Sequence, residues 1–135
     1  IEGGKLWALM DIRYPVLLNL EEMVRRAQES LAPCRVTVAG SRKPHYVSEQ
    51  TELVQQLLET YHEMTGGEKK AIAIGGGTYA QSLEEGVAFG ALFPGEEEMA
   101  HQADEYISEE SLFQNARIFA RAIVRLAGEK EENAK

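Results

Sequence analysis

Lys5-Leu6-Trp7-Ala8-Leu9-Met10-Asp11-Ile12-Arg13-Tyr14-Pro15-Val16 is the stretch on which the reading of the fold turns. Leu6, Ala8, Met10, Ile12 and Tyr14 fall on one side of an extended chain, and Trp7, Leu9, Asp11 and Arg13 on the other. A period of two predicts a β-strand over residues 5–16. Pro15, which has no N–H to give a ladder, ends that strand or confines it to an edge. Downstream, Asn19 is placed to cap a helix, with Glu22 three residues later and Glu21 in the positive first turn. Met23, Val24, Ala27 and Leu31 supply its apolar stripe, and Pro33 stops it. Residues 34–39 alternate again, with Val36 and Val38 on one face.

The expected start is thus strand–helix–strand, half of a split β-α-β (ferredoxin-like) unit with a sheet edge left open. Past a hinge at residues 44–48 the pattern becomes α-β-β-α. Ser48 is placed to cap a helix running to about Thr65, with Leu53, Val54, Leu57, Leu58 and Tyr61 inward and Gly66-Gly67 ending it. Residues 71–74 and 87–89 read as short strands. Ser108 caps a last helix, with Glu109 and Glu110 at its positive end, on which Leu112, Phe113, Ala116, Phe119, Ala120, Ile123 and Leu126 are expected inside and Gly128 is a stop. Arg117, Arg121 and Arg125 then form an outward, solvated stripe. Residues 129–135 read as a frayed tail. The expected class is α/β (α+β).

Composition bounds the function. The 135 residues carry 14 Lys+Arg against 22 Asp+Glu, net −8, which argues against a nucleic-acid binder. The imbalance is local: residues 1–47 are net +2 and residues 48–135 net −10. No apolar run approaches the roughly 20 residues of a membrane span, and no signal-peptide pattern opens the chain. Cys34 is the only cysteine, which excludes an internal disulfide and a CxxC metal site and suits a reducing, cytoplasmic setting.

Three stretches carry residues with chemistry. Gly75-Gly76-Gly77-Thr78 follows a predicted strand and fits neither the P-loop spacing nor GxGxxG. It either makes a turn that only glycine allows or lets a ligand approach backbone N–H donors. His101 lies in a segment kinked by Gly90, Pro94 and Gly95, with Asp104 and Glu105 three and four residues on. A neutral imidazole suits zinc, yet zinc wants four ligands and no second histidine or cysteine stands at ligand spacing. From these residues alone His101 reads as a structural residue ahead of a metal ligand; His45 and His62 read as ordinary surface or packing histidines. Arg13 shares a strand face with Asp11, and makes either a surface ion pair or a two-pronged clamp on a carboxylate.

Read in order, Asp11-Ile12-Arg13-Tyr14-Pro15, Arg42-Lys43-Pro44-His45-Tyr46-Val47, Gly75-Gly76-Gly77-Thr78-Tyr79-Ala80 and residues 89–107 (Phe-Gly…Phe-Pro-Gly…Ala-His-Gln-Ala-Asp-Glu-Tyr-Ile) resemble the C-terminal third of PepV-type dipeptidases. These are dinuclear zinc exopeptidases related to aminoacylases and carnosinases. The resemblance implies that residues 1–47 end a ferredoxin-like lid and that residues 48–135 return to complete a zinc-exopeptidase catalytic domain. It implies that His101 is the last zinc ligand, that Arg13 holds the C-terminal carboxylate of a small peptide substrate, and that Gly75, Gly76, Gly77 and Thr78 line its pocket. Glu105 would support the histidine without ligating the metal.

The rest of that family's pattern is not in this sequence. The HxD pair, the bridging Asp, the Glu-Glu with the general base and the lid histidine belong to an upstream segment, and Gln81 stands where many relatives carry a basic residue. The resemblance therefore implies a metal-dependent dipeptidase as parent and an inert isolated chain, expected to form homo-oligomers through exposed sheet edges. The competing expectation is a non-enzymatic binding or assembly module built from the ferredoxin-like half and an acidic helical piece.

Overall fold

The computed structural model describes residues 4, 6–90 and 92–128. The expected tail 129–135 and the first residue of the first expected strand lie outside these. The elements are α1 (Leu20–Ser30), α2 (Glu52–Thr65), a single 3-10 turn (Tyr79–Ser82) and α3 (Glu109–Gly128). The chain divides into two compact units, Ile1–Tyr46 and Val47–Lys135.

In the first unit α1 forms where its cap dictates. Asn19 Oδ1 accepts from the N–H groups of Glu21 (2.7 Å) and Glu22 (3.3 Å), satisfying two of the orphan donors of the first turn. Glu22 does not close a reciprocal capping box. Its carboxylate instead accepts from Arg25 and Arg26 one turn on, and Arg25 also reaches Glu29. The two guanidinium groups pull the Glu22 carboxyl down to about 2. The helix ends at Leu31, whose N–H returns to Ala27 O, two residues ahead of Pro33. The Gln28 side chain spans to the following segment, donating to Cys34 O (2.7 Å) and accepting from Val36 N–H (2.8 Å).

In the second unit α2 packs on α3. Ser48 serves the turn before α2 and is not its cap: Ser48 O accepts from Thr51, and α2 begins after Thr51. Its end falls at Gly66, whose φ of +72° is the left-handed stop that glycine makes cheaply. Ser108 does cap α3, its Oγ accepting from Ser111 N–H at 3.1 Å. Val54 and Leu57 are buried on α2, and Ser111, Asn115, Ile118 and Ala122 on α3. Burying side chains of the Val, Leu and Ile type contributes about 1.5–3 kcal/mol each. The fully buried Thr60 is satisfied twice, donating to Gln56 O (2.8 Å) and accepting from Arg125 Nη1 (3.2 Å).

Three expectations are corrected here. Among the described residues no β-strand forms, so the ferredoxin-like β-α-β and the α-β-β-α arrangement are not found. Residues 6–16 and 34–39 have the alternation, and 71–74 and 87–89 the apolar run, but none pairs as a strand among the described residues: such patterns supply faces without hydrogen-bond partners. Without a sheet there is no sheet edge, and the expected homo-oligomer through such edges falls with it. The face of α3 is also rotated from the expected one. The expected inward residues, among them Phe113 (65% exposed) and Ile123 (65%), lie exposed, while Ser111, Asn115, Ile118 and Ala122 are the buried ones. Two of the three arginines expected in solvent accordingly tie the helices: Arg125 donates to Glu63 at 2.6 Å, and Arg121 lies 3.8 Å from the same carboxylate.

Candidate functional site

The segment carrying His101 is built on α3. Gly90, at φ +85°, packs so closely that a Cβ there would stand 2.8 Å from Asn115 Oδ1 and 3.2 Å from Phe119 Cζ. Phe89 meets the Phe119 ring edge-on, with centroids 5.8 Å apart. Phe93-Pro94-Gly95-Glu96 then makes a turn, with Glu96 N–H donating to Phe93 O at 3.1 Å. Proline second and a left-handed glycine third (Gly95, φ +91°) is the type II pattern. The Glu96 carboxylate accepts from Phe93 N–H (2.6 Å) and from the buried Ser111 hydroxyl of α3. Those two bonds, Ser111 foremost, hold its carboxyl below the usual range.

His101 sits at the tip of the next turn. Glu98 Oε1 accepts from Ala100 N–H (3.2 Å), Glu98 O from Gln102 Nε2 (2.6 Å) and Met99 O from Gln102 N–H (3.1 Å). His101 N–H donates to Glu105 Oε2 at 3.2 Å. His101 (φ +64°) and Asp104 (φ +60°) both occupy the left-handed region. Non-glycine residues pay for that conformation, and such outliers gather at functional sites. The imidazole of His101 is exposed and takes part in no hydrogen bond or ion pair among the described residues. His62, by contrast, is engaged at the end of α2, its Nδ1 2.7 Å from Gly67 O.

Gly75, Gly76 and Gly77 form an open bend ahead of the 3-10 turn. None has a φ in the left-handed region, and a Cβ on Gly75 would meet nothing within 4 Å. A turn that only glycine can make is therefore not their reason. Thr78 O accepts from Gln81 N–H at 3.2 Å, starting the 3-10 turn.

Arg13 belongs to the first unit, the other candidates to the second. Its guanidinium lies 4.0 Å from Asp11, and both side chains are largely exposed. Tyr14, next to it, donates from Oη to Arg42 O at 3.1 Å, so the Asp11–Pro15 motif and the Arg42 motif touch. An open apolar groove in this unit, lined by Leu20, Val24, Val36 and Val38 among others, contains none of the candidate residues.

Among the described residues no three His, Cys, Asp or Glu side chains converge to hold a metal ion. The donor chemistry of His101 fits one coordination position of zinc, not a complete centre. Sequence reasoning singled out His101 and missed the contacts between its segment and α3: Glu96, Ser111 and Asn115 are ordinary in the sequence, and their pairing spans a loop and a helix turn.

The comparisons with known proteins bear on residues 4–125, which match the model of peptidase family M20/M25/M40. The chain is 42% identical over 126 residues to "Putative dipeptidase YtjP" of Bacillus subtilis, covering 93% of this chain and 27% of that protein. Two staphylococcal proteins with the same designation are similar: SSP1012 of Staphylococcus saprophyticus, 34% identical over 131 residues (96% of this chain, 28% of the relative), and SH1171 of Staphylococcus haemolyticus, 35% over 130 residues (95% and 27%). The chain thus spans little more than a quarter of the length of these curated relatives. No solved structure matches it significantly.

Proposed function

The chain belongs to peptidase family M20/M25/M40, and from that membership we propose that it is part of a PepV-type, zinc-dependent dipeptidase that hydrolyses short peptides with a free C-terminal carboxylate. The observation that carries the reading is the sustained likeness, over more than nine-tenths of this chain, to proteins designated dipeptidases. Residues 1–47 would close the lid and residues 48–135 would complete the catalytic domain. The lone cysteine suits a cytoplasmic enzyme.

Each candidate residue has a role its chemistry supports. His101 offers an exposed imidazole lone pair on a turn held by Glu98 and Glu105. Arg13 supplies a planar fork of donors to the substrate carboxylate, a stronger partner than the distant Asp11. The bend at Gly75, Gly76 and Gly77, with Thr78 beside it, carries no side chain of its own on the glycines and so would let a peptide approach the backbone closely. When bound, zinc would polarise the scissile carbonyl and lower the pKa of a water. The general base and the other ligands would come from the remaining length of the enzyme.

The test is His101→Ala in the full-length protein. Zinc affinity and dipeptide hydrolysis should both fall by at least about 100-fold, since a ligand matters more than the groups that support one. Unchanged zinc affinity and unchanged hydrolysis would refute the assignment.

A further inference from the structure

We propose that Glu96 is the positioning residue for His101, acting as the clasp of a closed loop that presents the imidazole; this rests on the reading of His101 as a metal ligand. The Glu96 carboxylate has two partners, and they lie on opposite sides of the loop. One oxygen accepts from Phe93 N–H at 2.6 Å and fixes the turn where the loop departs. The other accepts from the Ser111 hydroxyl, fifteen residues on, where the loop has returned into the first turn of α3. The bond between Glu96 and Ser111 therefore closes a loop of Ω type, with His101 inside it.

Both ends of the clasp are secured. Ser111 is 5% exposed, and its own N–H is held by the cap residue Ser108. Asn115, one turn along α3, is buried, donates to Ser111 O at 2.9 Å and faces Gly90 at the head of the segment. Inside the loop the bonds from Glu98 to Ala100 and Gln102, and from Glu105 to His101, are all local. They set the shape of the tip but cannot fix it to the body of the unit. Among the described hydrogen bonds from residues 96–107, the one to Ser111 is the polar tie to α3. A ligand held within a fraction of an ångström needs such support, and loss of supporting contacts costs 10–100-fold in metal affinity.

The experiment measures zinc affinity by competition with a chromophoric chelator, alongside kcat and KM for a dipeptide, in the full-length protein. Glu96→Ala should weaken zinc affinity about tenfold or more, lower kcat at limiting zinc and leave KM within about twofold. Glu96→Gln should recover most of the affinity, because its amide oxygen can accept from Phe93 and its amide N–H can donate to Ser111. Ser111→Ala, which removes only the hydroxyl, serves as the second variant should Glu96→Ala not fold, and should shift affinity in the same direction. Wild-type affinity in Glu96→Ala or, where that variant does not fold, in Ser111→Ala, overturns the proposal. So does a glutamine variant no better than alanine, or a loss seen only as less folded protein at unchanged affinity. His101→Ala separates the two ideas. If it leaves zinc affinity intact the ligand reading fails; if it abolishes affinity while Glu96→Ala does not, only the clasp fails.

Discussion

His101 and Gly90 illustrate opposite uses of left-handed backbone. Gly90 adopts φ +85° at little cost, and its missing side chain lets the chain lie against Asn115. Gly90→Ala should destabilise the protein by about 1–3 kcal/mol, read as a lower urea midpoint, because it combines an unfavourable φ with a contact of 2.8 Å. A midpoint unchanged from wild type would mean the segment is not packed on α3 as described. His101 adopts the same region without glycine's licence, held by the Glu105 carboxylate on its N–H. The sequence marked His101 and Arg13 as chemically unusual, but not their supports. A carboxylate bound fifteen residues away leaves no periodic trace, so Glu96 and Ser111 were invisible until the loop was seen closed.

Among the elements, the helices were legible because their signals are local. The Asn19 cap, the Gly66 stop and the Ser108 cap each involve atoms within a turn or two, and each forms as the sequence predicts. The strands were not, because a strand's hydrogen bonds lie on another stretch of backbone that periodicity cannot supply. The buried face of α3 differs from the expected one for a related reason: the stripe with most apolar residues needs a partner, and the residues buried are instead Ser111, Asn115, Ile118 and Ala122. Arg125→Ala should therefore lower the unfolding midpoint, removing donors to Thr60 and Glu63, whereas Arg117→Ala should stay within about 0.5 kcal/mol of wild type. Equal effects at the two positions would contradict the tie between α2 and α3. In α1, the Glu22 carboxyl lies near 2 when folded, against 4.5 ordinarily. A lowered folded value means its stabilising effect is present above about 4.5 and is lost as the pH falls toward 2. Carbon-detected NMR titration should find the Glu22 midpoint well below 4.5; a midpoint near 4.5 would show that the Arg25 and Arg26 bonds do not persist in solution.

At the scale of the whole molecule, the chain has few buried apolar residues and much uncovered apolar surface. Among the described residues Val54, Leu57, Ile118 and Ala122 are the buried hydrophobic set, while Leu6, Trp7, Leu17, Ile72 and Phe113 stand open. Among the described residues no metal-holding cluster forms, and the chain spans little more than a quarter of the length of its curated relatives. The decisive measurement is the rate of zinc-supplemented dipeptide hydrolysis by this 135-residue chain beside that of the longer dipeptidase to which the proposal assigns it. No turnover above buffer is expected for the chain alone, and turnover by the longer enzyme that His101→Ala abolishes. Hydrolysis by the isolated chain, or a longer enzyme indifferent to His101, would contradict that assignment.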